Sequence, residues 1–407
     1  MGVQHHEVII VGGGMVGATL AALLGQAGIS VAVLDGAEPA PWSADSLPDL
    51  RVSSVNAASL QVIEGAGAWP GITSRRHCPF RRLRVWDVSG RGETAFSADD
   101  IGADVLGHFV ENTITRLAVW ERLAQLPSVT RLCPALPEGV EPRARGALTV
   151  RLRDGRRLSC RLLVGADGAR SAVRSLLRIG VETHDYRQHA MITNVVTRLP
   201  QQDVTWQCFT PDGPVAFLPL QGPHASLVWY DRPDVVRRRL ALSNPVLHQH
   251  IEAAFPSDLG GIERIIATGS FPIRRVHAQR YRAYRSVLIG DAAHVIHPLA
   301  GQGLNLGLQD VACLAERLID ACQRGEDPGA TALLAGYEAR RRPANLAMMS
   351  AMSLFHRVFT SDVDMLRQVG AFGLGLADRL GPIKQMAMRH AMGLTPVAGG
   401  GWSMAGR

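Results

Sequence analysis

Lysine is almost absent from this chain: of its 43 basic residues only Lys384 is a lysine, and the arginines are scattered. A formal charge of +7 and a pI near 9.5 would suit nucleic acid or an anionic membrane surface. No basic run is interleaved with aromatics, which make up only 5% of the chain, so nucleic-acid binding is not expected. The six cysteines (Cys78, Cys133, Cys160, Cys208, Cys313 and Cys322) form no C-x-x-C pair, and no histidine stands at zinc-ligand spacing. That argues against a disulfide framework and against a metal, leaving reduced, mostly buried thiols of a cytoplasmic protein. No apolar run reaches the roughly 18 residues a membrane helix requires. The chain also enters a strand too early for a signal peptide, so neither export nor a membrane span is expected. With 46% hydrophobic and 19% charged residues it is globular, and 407 residues exceed what one core usually serves. Two domains are expected.

What is present is a strand, turn and helix pattern that occurs three times. Residues 7–17 read Glu-Val-Ile-Ile-Val-Gly12-Gly13-Gly14-Met-Val-Gly17, followed by an Ala/Leu-rich helix to about Ala27 and a stop at Gly28. A second strand then ends in Asp35. G-x-G-x-x-G at the head of a helix, with an acid roughly 20 residues on, is the pattern of a dinucleotide site: glycines admit the pyrophosphate and the acid takes ribose hydroxyls. Leu162-Leu163-Val164 runs into Gly165-Ala166-Asp167-Gly168, with Ser171 and Arg174 on the helix after it. This second strand-edge carboxylate suits a pyrophosphate or a visiting nicotinamide cofactor. Val287-Leu288-Ile289 delivers Gly290-Asp291 in the same way. Beyond Pro298, Gly301-Gln302-Gly303 opens a helix whose Leu308, Val311, Leu314, Ala315, Leu318 and Ile319 share one face. The free N–H groups of such a helix start favour negative charge, whether phosphate or a reduced ring.

Between these turns the period changes. Residues 51–59 read as the start of a helix, with Arg51 placed equally well for a phosphate, a ribityl chain, a substrate or plain solvent. Residues 81–96 alternate around Ser89-Gly90-Arg91-Gly92 as a hairpin, and Asp154-Gly155 marks another, both of its residues taking the turn's positive φ. Asn112 or Thr113 is expected to cap a helix running to Ala124; for Asn112 the alternative is an amide reaching a cofactor. Residues 184–274 carry antiparallel-sheet alternation, with Phe217 and Trp229 as candidate floor of an apolar pocket and core packing as their alternative. After Tyr337 the chain turns Met- and Leu-rich (Met348, Met349, Met352, Met365, Met386, Met388 and Met392 among them), and a packed helical cap is expected.

Together Gly12-x-Gly14-x-x-Gly17, Asp167-Gly168 with Arg174, and Gly290-Asp291 match the three fingerprints of the class A FAD-dependent aromatic monooxygenases, the group that includes p-hydroxybenzoate hydroxylase. More narrowly, His297-Pro298-Leu-Ala-Gly301-Gln302-Gly303-Leu304-Asn305-Leu-Gly307 with Asp310 resembles the signature of the ubiquinone-biosynthesis hydroxylases. The resemblance covers nearly the whole chain. Several segments, Val110-Glu-Asn-Thr and Ser226-Leu-Val-Trp-Tyr-Asp among them, are most similar to members acting on a methoxylated polyprenyl benzoquinol. In those members asparagine is usual at the position of His297, and histidine there is closer to the sister hydroxylases.

The resemblance implies an α/β architecture. A discontinuous Rossmann-like FAD-binding domain (1–75, 100–180 and 275–345) would hold an inserted antiparallel β-sheet substrate domain (76–99 and 181–274) and be followed by a C-terminal helical region (346–407). It implies that NAD(P)H reduces bound FAD and that a flavin hydroperoxide passes one oxygen atom from O2 to the ring of a polyprenyl quinol. By the same analogy Gly12, Gly14 and Gly17 hold the pyrophosphate, Asp35 the adenosine ribose and Asp291 the ribityl hydroxyls. The start of the helix at Gly301, Gln302, Gly303, Leu304 and Asn305 faces the reduced ring. Arg51, Asn112, Asp167, Gly168, Arg174, Gly290 and Pro298 complete the expected cofactor set, with Pro298 shared with the substrate pocket. His294 and His297 are the nearest candidates for proton assistance, with structural roles as their alternative. Two rival readings stand: a hydroxylase for a small phenol or another ring position, and a flavoprotein that scaffolds a lipid-biosynthesis complex without turnover. A ubiquinone-biosynthesis complex and peripheral contact with the inner face of the membrane are the expected surroundings.

Overall fold

The computed structural model describes residues 3–88, 92–143, 146–298, 301–359 and 392–393, and the strand Gln4–Val11 lies at the centre of its first sheet. Val31–Leu34 and Arg157–Gly165 flank that strand in parallel, with Val129–Leu132 and Ser286–Leu288 parallel beyond them. Parallel strands are covered on both faces by helices, which is why they read as unbroken apolar runs rather than alternation. Val8, Ile9, Ile10, Val164 and Leu288 are fully buried, packed with Leu20 and Leu24 of the helix Met15–Gln26 and Val311, Leu314 and Leu318 of the helix Gln302–Gln323. The register sets Val11 beside both Leu34 and Gly165, and Gly165 beside Leu288. All four strands therefore end on the same edge.

The second sheet is built on two long antiparallel strands, Val181–Thr197 and Ile262–Ala278, and continues through His224–Asp231, Val215–Pro219 and Val204–Phe209. Arg82–Asp87 then pairs with Val204–Phe209 in parallel, a departure from the expected antiparallel sheet, and Glu93–Ser97 closes the edge. No tight turn joins Arg82–Asp87 to its neighbour, so nothing local imposes the antiparallel direction. The hairpin's turn residues Ser89, Gly90 and Arg91 lie outside the described residues. Two helices, Pro233–Leu240 and Asn244–Ala254, cover one face of this sheet and were not foreseen. Both carry proline in the first turn, where its missing N–H is no loss.

A third, small sheet joins Val52–Asn56, Gly107–Glu111 and Cys78–Phe80. It corrects several expectations. Residues 51–59 begin as a strand, and the helix Ala57–Gly65 starts only where Asn56 accepts a hydrogen bond from the Ser59 N–H at 2.9 Å. Cys78–Phe80 pairs with this sheet and not with the second one. Glu111, rather than Asn112 or Thr113, occupies the cap position of Asn112–Ala124, without a side-chain bond to it. In the Asp154-Gly155 turn only Gly155 has positive φ, because the turn holds three residues closed by Leu152 N–H to Arg156 O. Finally, the helix Thr331–Phe359 runs unbroken through the boundary expected at 345. Its Met348 and Met349 pack with Ile296 and Leu306, and Met352 with Phe209. Met365, Met386 and Met388 lie outside the described residues, while Met392 is buried beside Phe80 and Phe109. Among the described residues no helix is long and apolar enough to cross a membrane.

Candidate active site

The common edge of the parallel strands brings the three glycine turns into contact. Gly12 has φ +105°, and a Cβ there would sit 2.3 Å from Ala166 O and 2.8 Å from Asp167 N. A Cβ on Gly17 would lie 2.0 Å from Gly12 O, and one on Gly307 2.8 Å from Val16 Cγ2, so backbone packs where side chains are excluded. Gly290 meets the same Val16. The first two turns thus interlock directly, and the third closes on the opening turn of the helix Met15–Gln26. Gly14, Gly168 and Gly303 differ: a Cβ on any of them would meet nothing within 4 Å. Gly14 and Gly301 cap their respective helices, the latter at φ +62°, leaving helix-start N–H groups beside open space. Pro298 closes the turn into the second helix by accepting Gly301 N–H at 3.0 Å.

Two carboxylates border this space. Asp35 accepts Gly13 N–H at 2.7 Å and Ala37 N–H at 3.1 Å, with Arg116 at 3.4 Å, a partner the sequence did not reveal. Asp291 rides the short turn Gly290–Ala292; its surface is open, yet protein surrounds it. That burial raises its pKa, with His294 and Arg51 pulling the other way. Arg51 itself stands 5.0 Å above the Phe271 ring, so a cation from the small sheet lies between the Asp291 turn and the second sheet.

Other expected cofactor contacts are already engaged by protein. Asp167 accepts Ser171 Oγ at 2.5 Å and Val173 N–H at 3.0 Å, so it braces the start of the helix that follows its turn. Arg174 donates to Ala292 O at 2.9 Å and Ala169 O at 2.8 Å and so ties the second turn to the third. Asn305 is fully buried; it accepts Asn56 N–H at 3.2 Å and donates to Ser54 O at 3.0 Å, bracing helix to strand. Leu304 points into the core, which leaves only its backbone for a ligand, and Gln302 lies on the same first turn. Asn112 Oδ1 accepts Ser53 Oγ at 2.7 Å.

His294 and His297 are both buried, at 1% exposure each. His294 Nε2 lies 2.5 Å from Asp310, whose carboxylate also takes Arg341 Nε at 2.7 Å, Asn345 Nδ2 at 3.1 Å and Gly290 N–H at 3.1 Å. Burial alone would raise the Asp310 pKa, but His294 and Arg341 hold it well below the usual carboxylate range. His297 lies edge-on to Tyr186 at 4.7 Å, beside His356 at 4.7 Å and nearly parallel to Tyr230 at 5.8 Å. Burial and the neighbouring His356 lower its pKa to about 3, so it is neutral at pH 7. Both rings are closed off from solvent.

For Phe217 and Trp229 the core-packing alternative describes what is seen. Phe217 stacks on Trp206 at 5.5 Å, and Trp229 meets Phe255 with Arg239 3.6 Å above it, all in the core beneath the covering helices. Strand alternation turns Ala216, Val228 and Tyr230 to the opposite face, where they pack with Ala190, Ile273 and Phe271. Tyr230 and Phe271 on this face meet His297 and Arg51. The front face, through Phe271 and the Arg51 above it, is the side of the sheet turned toward Asp291. Among the described residues no group of side chains could hold a metal ion.

Comparison with known proteins agrees with this geometry. The sequence pattern of the FAD binding domain family matches residues 5–352. The chain is 41% identical to 3-demethoxyubiquinol 3-hydroxylase of Escherichia coli (strain K12), over 96% of this chain and 99% of that protein. It is 39% identical to ubiquinone hydroxylase UbiL of Rhodospirillum rubrum, over 95% and 89% respectively. Its fold is similar to that of PqsL, a probable FAD-dependent monooxygenase from Pseudomonas aeruginosa, with TM-score 0.75 and 28% identity over 91% of this chain and 100% of that one. Interlocked glycine turns, bare helix starts and a strand-edge carboxylate fit the family's cofactor, and on these grounds the chain belongs to the FAD-dependent monooxygenases, in the branch that holds the ubiquinone-biosynthesis hydroxylases.

Proposed function

We propose that this enzyme hydroxylates the ring of a polyprenyl benzoquinol, consuming NAD(P)H and O2 and releasing water. The observation that carries the reading is the single edge shared by Val11, Leu34, Gly165 and Leu288, with an apolar sheet face opposite. Open α/β sheets bind ligands at that edge. FAD bound there supplies the redox chemistry, accepting hydride and activating O2 for transfer of one oxygen atom to the ring.

The protein's part is binding, orientation and exclusion of water. Gly12, Gly14 and Gly17 admit the pyrophosphate, Asp35 takes the ribose and Asp291 the ribityl hydroxyls. The N–H groups at Gly303 and Leu304 stabilise negative charge on the ring system, and Arg51 neutralises charge from the other side. Ala216, Val228, Tyr230 and Phe271 offer an apolar wall for the quinol and its tail. A quinol already carries two electron-donating oxygens, so a neutral His297 in this wall serves shape and hydrogen bonding rather than proton abstraction. The enzyme works in the cytoplasm at the periphery of the membrane; its six free thiols, with Cys160 pushed up to about 12 by burial, suit a reducing compartment.

The test is mass analysis of quinones in cells lacking this gene. A polyprenyl intermediate missing one ring oxygen should accumulate, and its substitution pattern names the ring position. The purified enzyme should hydroxylate a long-tailed quinol in preference to a small phenol. An unchanged quinone profile, or bound FAD with no NAD(P)H oxidation under any quinol, overturns the proposal.

A further inference from the structure

Asp310 is held by more donors than its burial demands. A carboxylate removed from water requires a counter-charge and satisfied lone pairs, and Arg341 with Asn345 meets both needs on one oxygen, at 2.7 and 3.1 Å. The other oxygen takes Gly290 N–H at 3.1 Å and His294 Nε2 at 2.5 Å. Those two groups are the ends of one short segment, Gly290 to His294, and Asp291 lies between them. The carboxylate therefore pins both ends of the turn that presents the cofactor-facing acid. Arg341 and Asn345 stand on successive turns of the helix Thr331–Phe359, and Tyr337, one turn earlier, donates to Leu288 O at 3.1 Å at the end of the strand feeding that turn. One stripe of this helix thus reaches the strand end and the Asp310 carboxylate.

We infer that Asp310, His294 and Arg341 are positioning residues for FAD binding: they fix the Asp291 turn from behind and wire the helix Thr331–Phe359 to the cofactor crevice. The inference rests on Asp291 facing bound FAD, and it adds that the acid's grip depends on a network that never touches the cofactor. Replacing Asp310 by asparagine keeps one acceptor and sets an amide N–H2 against one of its two donor pairs, so the carboxylate's simultaneous hold on the turn and on the helix is lost. Loss of Asn345 removes one donor from the far oxygen and one acceptor from Arg341, which keeps Gln309 Oε1 and Leu306 O, and touches neither bond to the turn.

The experiment measures FAD affinity of the flavin-free protein by fluorescence titration and, separately, the thermal midpoint of that flavin-free protein. Asp310→Asn and His294→Leu should weaken FAD binding by about tenfold or more. His294→Gln, whose amide N–H reaches the imidazole Nε2 position, should stay within about threefold of the parent. Asn345→Leu should lower the midpoint while leaving FAD affinity unchanged. If affinity falls in step with the midpoint across all four variants, or if Asp310→Asn and His294→Leu bind FAD like the parent, the inference is wrong. Should Asp310→Asn fail to fold, the contrast between leucine and glutamine at position 294 decides alone. Asp291→Ala tests the premise: if it retains FAD, the reading of the site fails, whereas flavin loss there beside normal binding in the Asp310 and His294 variants sinks only this inference.

Discussion

Asp291 is crowded by protein without being sealed from the crevice, and that tension sets its chemistry. Burial raises its pKa above the ordinary carboxylate value, so the folded state holds its proton more readily than the unfolded chain does. The sign follows from linkage: ionising this group costs folding stability, and the cost is fully present above the raised folded-state pKa and absent below the unfolded one. Asparagine removes the charge and keeps one acceptor. Asp291→Asn should therefore raise the thermal midpoint of the flavin-free protein near neutral pH, an advantage that vanishes in acid. The same change should weaken FAD binding by about tenfold or more, since hydroxyl donors bond a carboxylate more strongly than an amide oxygen. Melting curves across pH, paired with flavin absorbance of the purified variant, check both halves. A lower midpoint at neutral pH would show that the charge stabilises the fold.

The second sheet poses its question at the level of the strand. Its two faces differ in covering, and substitution should separate them. Phe217, in the helix-covered core, should when changed to Ala cost on the order of 3–5 kcal/mol of stability, with KM for the quinol unchanged in whatever protein remains folded. Leu218, the next residue, is half-buried and packs with the front face. Leu218→Gln should raise KM for a long-tailed quinol with little change in the midpoint or FAD content, as loss of uniform binding does. Steady-state kinetics beside thermal melts would tell; equal KM effects at both positions would move the substrate elsewhere. The strands and glycine turns are legible because apolar runs, alternation and positive φ are local properties. Which face of Phe217 met a helix was not, since the covering helices Pro233–Leu240 and Asn244–Ala254 depend on contacts alternation does not encode. The site divides the same way. Gly12 and Asp35 announce themselves by spacing, whereas the bonds by which Asn305 braces its helix to Ser54 and Asn56 join residues 251 and 249 positions apart and are not legible from either segment. Asp310 and Arg341 could be paired only once two helices were packed together.

Across the whole molecule the sheets are joined by a strap just before Arg51. Asn194, fully buried on the second sheet, donates Nδ2 to Pro48 O at 3.0 Å and Asp49 O at 2.9 Å. From the other side Glu111 accepts Asp49 N–H at 2.8 Å while paired with Arg76 at 2.8 Å. The peptide of Asp49 is gripped by both sheets, and two residues later Arg51 stands over Phe271 and acts on Asp291. Placement of this cation is therefore a property of how the sheets are docked rather than of either alone. Asn194→Leu would leave two carbonyls without their donor, at about 1–3 kcal/mol each, and free the strap. FAD binding should weaken with it, because Arg51 loses its fixed position. If the strap acts through Arg51, the loss seen with Asn194→Leu should disappear in an Arg51→Ala background, a non-additivity that residues sharing one function produce. Titration of FAD into the four flavin-free proteins of this double-mutant cycle measures it. Simple addition of the two effects would mean that the strap holds the sheets together and does nothing for the cation.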